Sequence, residues 1–479
     1  MLFNSYIFIL LFFPVVCAGY YLLIKMQKQN WLNCFLLVMS LFFYLYAGKK
    51  CLILLIGNVL INYLFYRGLK IYKGNSTKRK VILGISVGTN LLLLFYFKYV
   101  NFFIDNINLI LGKEYTILNI VQPLGISFIV FQQIAFLVDT SRGEIEEYSF
   151  IEYALFITYF PHISSGPIIL GKDILPDLKR NKDIEWNNIS VGIYMFVMGL
   201  AKKVLIADTL AKAVDWGYAN IAELNTTSAL FISVAYSLQI YFDFSGYSDM
   251  AIGISRILQL DLPVNFNSPY KARTILEFWE RWHMTLTRFL TRYLYIPLGG
   301  NRKGKVRMYL NTLVVFLCSG IWHGASWTFI LWGAMHGCFM IFTKCFRNVF
   351  DKIPNLINRC ITLIFVNFTW VLFRAGSFGA LRKMMEAIIK CEWGPLNENI
   401  GSVFVGLGII NREFGSIPSW SWAFGSIILL GWIVIKTKNI GERAGELKLS
   451  VCSCLYVSIV ACLCVLSFSG VSSFIYSMF

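Results

Sequence analysis

Phe278-Trp279-Glu280-Arg281-Trp282-His283 opens a stretch that continues through the basic loop Gly299-Gly300-Asn301-Arg302-Lys303-Gly304-Lys305. It closes, inside an apolar segment, on Ser319-Gly320-Ile321-Trp322-His323-Gly324-Ala325-Ser326-Trp327. Three of the four histidines of the protein, His283, His323 and His336, lie between residues 278 and 336, and the first two directly follow tryptophan. An ionisable side chain at membrane depth costs roughly 3 kcal/mol on insertion scales, so it marks a functional site unless hydrogen bonds inside a helix bundle account for it. Two Trp-His pairs flanking a basic loop point to chemistry.

The surrounding chain reads as membrane throughout. Of 479 residues, 57% are hydrophobic and 14% charged, against roughly 25% charged in soluble domains. Apolar segments recur at about 4–24, 31–48, 51–66, 81–98, 118–138, 150–170, 189–206, 228–257, 274–298, 308–323, 326–346, 357–374, 421–436 and 449–471. A span needs ~20 apolar residues, so the shorter or Gly/Pro-interrupted pieces are expected to be re-entrant or tilted, with about 11 to 14 membrane elements in all. The expected fold class is an all-α polytopic membrane bundle.

The net charge of +17 sits in short loops between apolar runs. That is the positive-inside pattern, which orients a chain and attracts anionic lipid, and it excludes nucleic acid as a partner. Two basic loops, Arg67 to Lys80 and Arg302 to Arg307, contain no carboxylate and predict a cytoplasmic location for both; Lys344 follows on the same side. The first apolar run has its cations, Lys25 and Lys28, behind it. It therefore reads as a retained span of the inner (cytoplasmic) membrane with the N-terminus outside. Residues 375–420 then fall outside, with an amphipathic piece from Leu381 to Ile389 and a Gly-rich connection along the surface. The twelve cysteines lie mostly in apolar runs and read as small fillers, with no metal-binding spacing. No resident metal or tightly bound cofactor is expected. No internal repeat is visible, which argues against an inverted-repeat transporter.

Polar residues inside apolar context are few. Pro123-Leu124-Gly125-Ile126-Ser127-Phe128 precedes Gln132 and Gln133, and Phe160-Pro161-His162-Ile163-Ser164-Ser165-Gly166-Pro167 must break a helix, because each proline removes a donor. His162 reads as structural. Tyr241-Phe242-Asp243-Phe244-Ser245-Gly246-Tyr247-Ser248-Asp249-Met250 holds two aspartates six apart, on different faces of any continuous helix, and Gly246 is expected to bend the chain between them. Asp243 and Asp249 are expected to support the site, by bonding the imidazoles, lining a polar cavity or capping broken helix ends.

On one helix Trp279, His283 and Thr287 share a face at spacings of four, and Arg281, Arg288 and Arg292 form a cationic stripe beside it. Guanidinium groups suit the phosphates of a cytoplasmic acyl donor, and equally lipid head groups. His323 lies sixteen residues beyond Arg307, ~24 Å along a helix, hence near mid-membrane. Ser319, one turn earlier, is placed to orient its ring. His336 lies roughly 20 Å further on, cannot share the site without a sharp bend, and is left out of it. A membrane-embedded imidazole can take a proton from a hydroxyl or thiol as that group attacks an acyl donor.

The motifs resemble those of the membrane-bound O-acyltransferase superfamily, in its bacterial branch of alginate O-acetylation and teichoic-acid D-alanylation membrane proteins. The resemblance rests on P-L-G-I-S-F (123–128), F-P-H-I-S-S-G-P (160–167), Y-F-D-F-S-G-Y-S-D-M (241–250), F-W-E-R-W-H (278–283), S-G-I-W-H-G (319–324) and F-T-W-V-L-F-R-A (368–375), the last being closer to the alginate type. It implies a helical bundle with a central funnel, over one domain of residues 1–479: N-terminal spans 1–110, core 118–346 and C-terminal spans 357–479. It implies that His323 is catalytic and His283 a second active-site residue, with Trp279, Arg281, Trp282, Arg288, Ser319, Trp322, Asp243 and Asp249 as candidate substrate-binding residues. It further implies acetyl-CoA or another acyl thioester as donor, an extracytoplasmic SGNH-type acetyltransferase as partner, polysaccharide synthesis and export machinery nearby, and O-acetylation of cell-surface polysaccharide as the outcome. His162 departs from the family pattern, which often has an apolar residue there. D-alanyl transfer, a transporter or flippase, and a scaffold for a polysaccharide synthase are the competing readings.

Overall fold

The structure, a computed structural model, describes residues 1–405, 418–468 and 474–475. A π-helical turn, Ile7–Phe12, leads into α1 (Phe13–Lys25), followed by α2 (Gln29–Leu45), α3 (Lys49–Ile71) and α4 (Ser76–Leu94). The last continues through a π-helical stretch, Phe95–Tyr99, into α5 (Val100–Leu111). Leu10, Ile53, Leu64, Leu92 and Leu109 on these helices are exposed, an outer surface suited to lipid rather than water. Seven helical stretches of the described residues are long and apolar enough to cross a membrane, and α2 is a shorter apolar helix. No strand occurs among the described residues.

The middle of the chain forms α6 (Ile126–Arg142), α7 (Phe150–Thr158), α8 (Gly171–Lys179), α9 (Trp186–Ala201), α10 (Asp208–Ala219) and α11 (Thr226–Ile257). A third π-helical stretch, Lys202–Ala207, joins α9 to α10. Then come α12 (Ile275–Arg281), α13 (Met284–Leu290), a fourth π-helical stretch at Thr291–Tyr295, α14 (Lys305–His323) and α15 (Trp327–Cys345). The chain continues with α16 (Arg347–Phe350), α17 (Asn355–Ala375), α18 (Phe378–Ile389), α19 (Glu398–Ser402), α20 (Ser419–Lys436), α21 (Ile440–Gly445) and α22 (Val451–Leu466). The amphipathic piece expected near residue 381 is α18, whereas most of the Gly-rich connection expected after it lies outside the described residues.

α11 is the axis of the bundle: every residue but Thr227, Leu230, Val234 and Arg256 is buried. The expected bend at Gly246 is absent, and α11 runs unbroken for 32 residues. Inside lipid an unbroken helix keeps every backbone group paired. Gly246 serves close approach instead, since a Cβ there would sit 2.8 Å from the Gly199 carbonyl oxygen of α9. Small residues let two membrane helices pack backbone to backbone.

A second expectation also fails. Residues 274–298 do not form one helix: α12 stops at Arg281, His283 takes a left-handed backbone (φ 46°, ψ 51°), and α13 starts at Met284. Trp279, His283 and Thr287 therefore do not share a helical face, and the arginine stripe is divided between two helices and a π-helical turn. The break after α7 is as the prolines require. There Gly125, at φ +70°, lies so close to the 160–167 turn that a Cβ would fall 2.0 Å from the Ile163 carbonyl oxygen, so the first two motifs meet backbone to backbone.

Candidate active site

His323 is the last residue of α14 and is buried. Its ring stands edge-on to those of Trp322, Trp332 and Phe373, with centroids 5.1, 5.1 and 5.3 Å away. Gly324-Ala325-Ser326 turns the chain straight back into α15. The hairpin closes tightly because Gly320 and Gly333 face one another; a Cβ on Gly320 would meet the Phe329 carbonyl oxygen at 2.3 Å. That turn is a sharp bend of which the sequence shows no sign, and contrary to the expectation it returns His336 to the neighbourhood, 4.6 Å from Trp332 between ring centroids.

His336 nevertheless has both nitrogens committed. Nδ1 accepts from Trp279 Nε1–H at 3.2 Å, and Nε2 lies 3.1 Å from the Thr369 hydroxyl, whose own proton goes to the Val366 carbonyl. His162 is likewise engaged, with Gln132 at Nδ1 and the Phe156 carbonyl at Nε2, both at 3.0 Å.

His283 is different. Its Nδ1 lies 3.1 Å from Asn265 Oδ1, an oxygen that also accepts from the Thr285 backbone N–H and hydroxyl. A backbone N–H can only donate, which fixes the orientation of the Asn265 amide, so Nδ1 must carry the ring proton and Nε2 the lone pair. Phe244 of α11 backs the ring edge-on at 4.8 Å, and Trp322 stands 6.0 Å away, in contact with both His283 and His323. Asn265→Ala removes the acceptor that selects this tautomer.

The other residues singled out in the sequence separate clearly. Trp279 packs on Phe316, Trp332 and His336, whereas Trp282 stacks on Phe278 and packs on Trp370, inside an aromatic core. Arg281 pairs with Glu277 at 2.9 Å, Arg288 with Asp173, and Arg292 with Asp139 and Glu144. The expected cationic stripe is thus largely neutralised, Arg281 by a carboxylate of its own helix and Arg288 and Arg292 by carboxylates from elsewhere in the chain. Asp243 and Asp249 do not bond the imidazoles: Lys203 holds Asp243 at 2.6 Å and Asp208 at 2.8 Å, and Lys202 holds Asp249 at 2.7 Å. These ion pairs tie the π-helical stretch after α9 to α11. The motif reaches the site through its neighbours, with Phe244 against His283, Ser248 accepting from Asn265 Nδ2, and the Tyr247 hydroxyl 2.6 Å from Ser164.

Two cavities meet beside this assembly, sharing Trp279, Thr287 and Thr291. The outer one, about 420 Å³, includes Lys172, Arg288 and Arg292 in its wall. The inner one, about 210 Å³, runs from Lys344 and Tyr295 past Thr312 to Ser319, one helical turn before His323.

Three functional candidates escaped the sequence reading: Asn265, in a polar connection with no distinguishing pattern, and the lysine pair Lys202-Lys203. The pair lay within an apolar run, and cations at membrane depth were the available signal.

The membrane-bound O-acyltransferase family matches residues 129–378, just over half the chain. A peptidoglycan O-acetyltransferase of Helicobacter pylori is 40% identical over 424 residues, covering 81% of this chain and 80% of its own. A probable alginate O-acetylase AlgI of Pseudomonas aeruginosa is 36% identical over 85% of this chain and 79% of its own. A teichoic acid D-alanyltransferase of Streptococcus thermophilus is 27% identical over 50% of this chain and 62% of its own. With the family matched across the segment that carries both Trp-His pairs, and with relatives of this similarity along most of its length, the chain belongs to the membrane-bound O-acyltransferase family and is a multi-pass membrane O-acyltransferase.

Proposed function

We propose that this enzyme passes acetyl groups from a cytoplasmic thioester donor of the acetyl-CoA class across the inner membrane, for O-acetylation of cell-surface polysaccharide. The observation that carries this reading is the inner cavity, which ends at Ser319, a turn before a buried histidine. Its outer end lies toward Lys344 and Tyr295, near the basic loop Arg302 to Arg307, the side the positive-inside pattern assigns to the cytoplasm.

In this reading His323 takes the proton of an acceptor hydroxyl as the oxygen attacks the thioester carbonyl. The C–O bond forms, the C–S bond breaks, and the imidazolium returns its proton to the departing thiolate. His283, with its lone pair on Nε2, assists across Trp322. Trp279 and Ser319 line the donor path, Lys172 at the outer cavity attracts phosphate, and Arg288, paired with Asp173, holds the wall of that cavity. Arg281, Trp282, Asp243 and Asp249 act by holding the walls rather than by touching substrate. The acetylated product goes to an extracytoplasmic SGNH-type partner working with polysaccharide synthesis and export machinery, and the N-terminus faces outward.

The relatives favour acetyl over D-alanyl transfer, because the D-alanyltransferase matches half of this chain whereas the O-acetylating proteins match more than four-fifths. Deletion of the gene and mass spectrometry of surface polysaccharide decide between them. Acetyl esters are expected to disappear and to return with the wild-type gene. Loss of D-alanyl esters instead would overturn the acetyl assignment, and an unchanged ester pattern would overturn acyl transfer and favour a transporter or scaffold.

A further inference from the structure

The last turn of an α-helix leaves carbonyl oxygens without intrahelical partners and gathers partial negative charge there. In α14 those carbonyls belong to the turn that presents His323, and a different part of the chain closes them. The π-helical stretch between α4 and α5 widens the helix by one residue per turn and sets two adjacent side chains against that end. The Tyr99 hydroxyl donates to the Ile321 carbonyl at 2.8 Å. The Lys98 ammonium donates to the Trp322 carbonyl at 2.5 Å, to the His323 carbonyl at 3.2 Å and to the Ser127 hydroxyl at 3.3 Å.

An ammonium has three protons to give, and Lys98 has three acceptors around it. It also stands 5.8 Å from the centroid of the Trp322 ring, within range of a cation–π contact. No carboxylate among the described residues pairs with it, unlike Lys202 and Lys203. A half-buried cation whose compensation comes from a helix end and one hydroxyl, with no carboxylate beside it, gains little from packing alone. Methionine fills the same volume without charge. Ser127 belongs to the P-L-G-I-S-F motif, so this contact links that motif to the histidine.

We propose that Lys98 is a positioning residue for His323: its ammonium, held by the carbonyls of Trp322 and His323 and by Ser127, pins the final turn of α14 and thereby aims the imidazole at the reacting groups. The proposal rests on the acyl-transfer reading of His323. Tyr99 caps a carbonyl one residue further back without charge and is expected to matter less.

The test is acetyl ester content of surface polysaccharide, divided by the membrane abundance of the protein, in a deletion strain carrying wild type, His323→Ala, Lys98→Met, Lys98→Arg, Tyr99→Phe or Ser127→Ala. Thermal melting of each purified protein is measured alongside. Lys98→Met is expected to lose esters at least about tenfold, the rate effect of misaligning one reacting group, with melting close to wild type. Lys98→Arg, which keeps the charge and the donors, is expected to recover most of the loss. Tyr99→Phe should change esters less than about twofold and Ser127→Ala about threefold, as loss of single hydrogen bonds would. Wild-type ester content in Lys98→Met, or a loss no smaller in Lys98→Arg, overturns the proposal. If Lys98→Met does not accumulate, unchanged esters in Ser127→Ala overturn it. Loss in His323→Ala with wild-type content in Lys98→Met defeats this proposal alone, whereas wild-type content in His323→Ala defeats the acyl-transfer reading beneath it.

Discussion

His323→Ala is expected to lower ester formation by two to four orders of magnitude, about what a positioned general base contributes, with membrane abundance unchanged. The stability of the site does not depend on this imidazole alone. Trp332 and Phe373 pack on one another at 5.5 Å, Trp332 also stacks on Trp370 at 6.1 Å, and Trp322 stacks on Phe131 at 5.3 Å. His323→Gln keeps most of the volume and a polar end but cannot carry a proton between oxygen and sulfur, so it should be as inactive as alanine. His336→Ala breaks hydrogen bonds to Trp279 and Thr369 and lowers stability, yet should retain more activity than either variant, because both of its nitrogens are committed within the wall. Ester content at matched abundance ranks the three.

Lys203→Met is expected to be the most destabilising single change in the bundle. It leaves Asp243, 2% exposed at its side chain, without its cation and with the backbone N–H of Ile475 as its remaining described donor. Breaking a buried pair by removing one partner costs roughly 3–5 kcal/mol, since the other charge stays buried and uncompensated. Asp208, which shares the same ammonium, is 21% exposed at its side chain and can turn to water. The double variant Lys203→Met/Asp243→Leu should therefore recover much of the loss, as replacing both charges by apolar groups often does. Melting temperatures of the purified wild type, single and double variants test this. A double variant no more stable than the single one would contradict the ion-pair account.

Much of this architecture is legible in the sequence because the bilayer restricts it. Helices with paired backbones are required, and prolines at 161 and 167 forbid one between them. The Trp-His pairs stood out because imidazoles in apolar runs are rare. What misled was periodicity. Spacings of four from Trp279 to Thr287 suggest one helix, but His283 adopts a left-handed backbone that no apolar pattern announces. Gly246 reads as a bend in isolation and proves to be a contact once α9 supplies Gly199 opposite it. Partners distant in sequence stay invisible for the same reason. Asp243 and Asp249 look available to histidines until Lys203 and Lys202 are seen beside them, and Arg288 looks available to phosphate until Asp173 is placed 115 residues away. Lys98 closes the apolar run 81–98, a position from which a lysine ordinarily snorkels to the interface. Its turn towards α14 depends on the π-helical register of Phe95–Tyr99, a feature of the fold rather than of local composition.

Purified enzyme in sealed lipid vesicles, given labelled acetyl-CoA on the side of the Arg302 to Arg307 loop and a hydroxyl-bearing polysaccharide acceptor on the other side, tests the central claim most directly. Cleavage of the thioester by wild type, and none above background by an equally stable His323→Ala, is the predicted result. Equal cleavage by both proteins would contradict a reaction centred on His323.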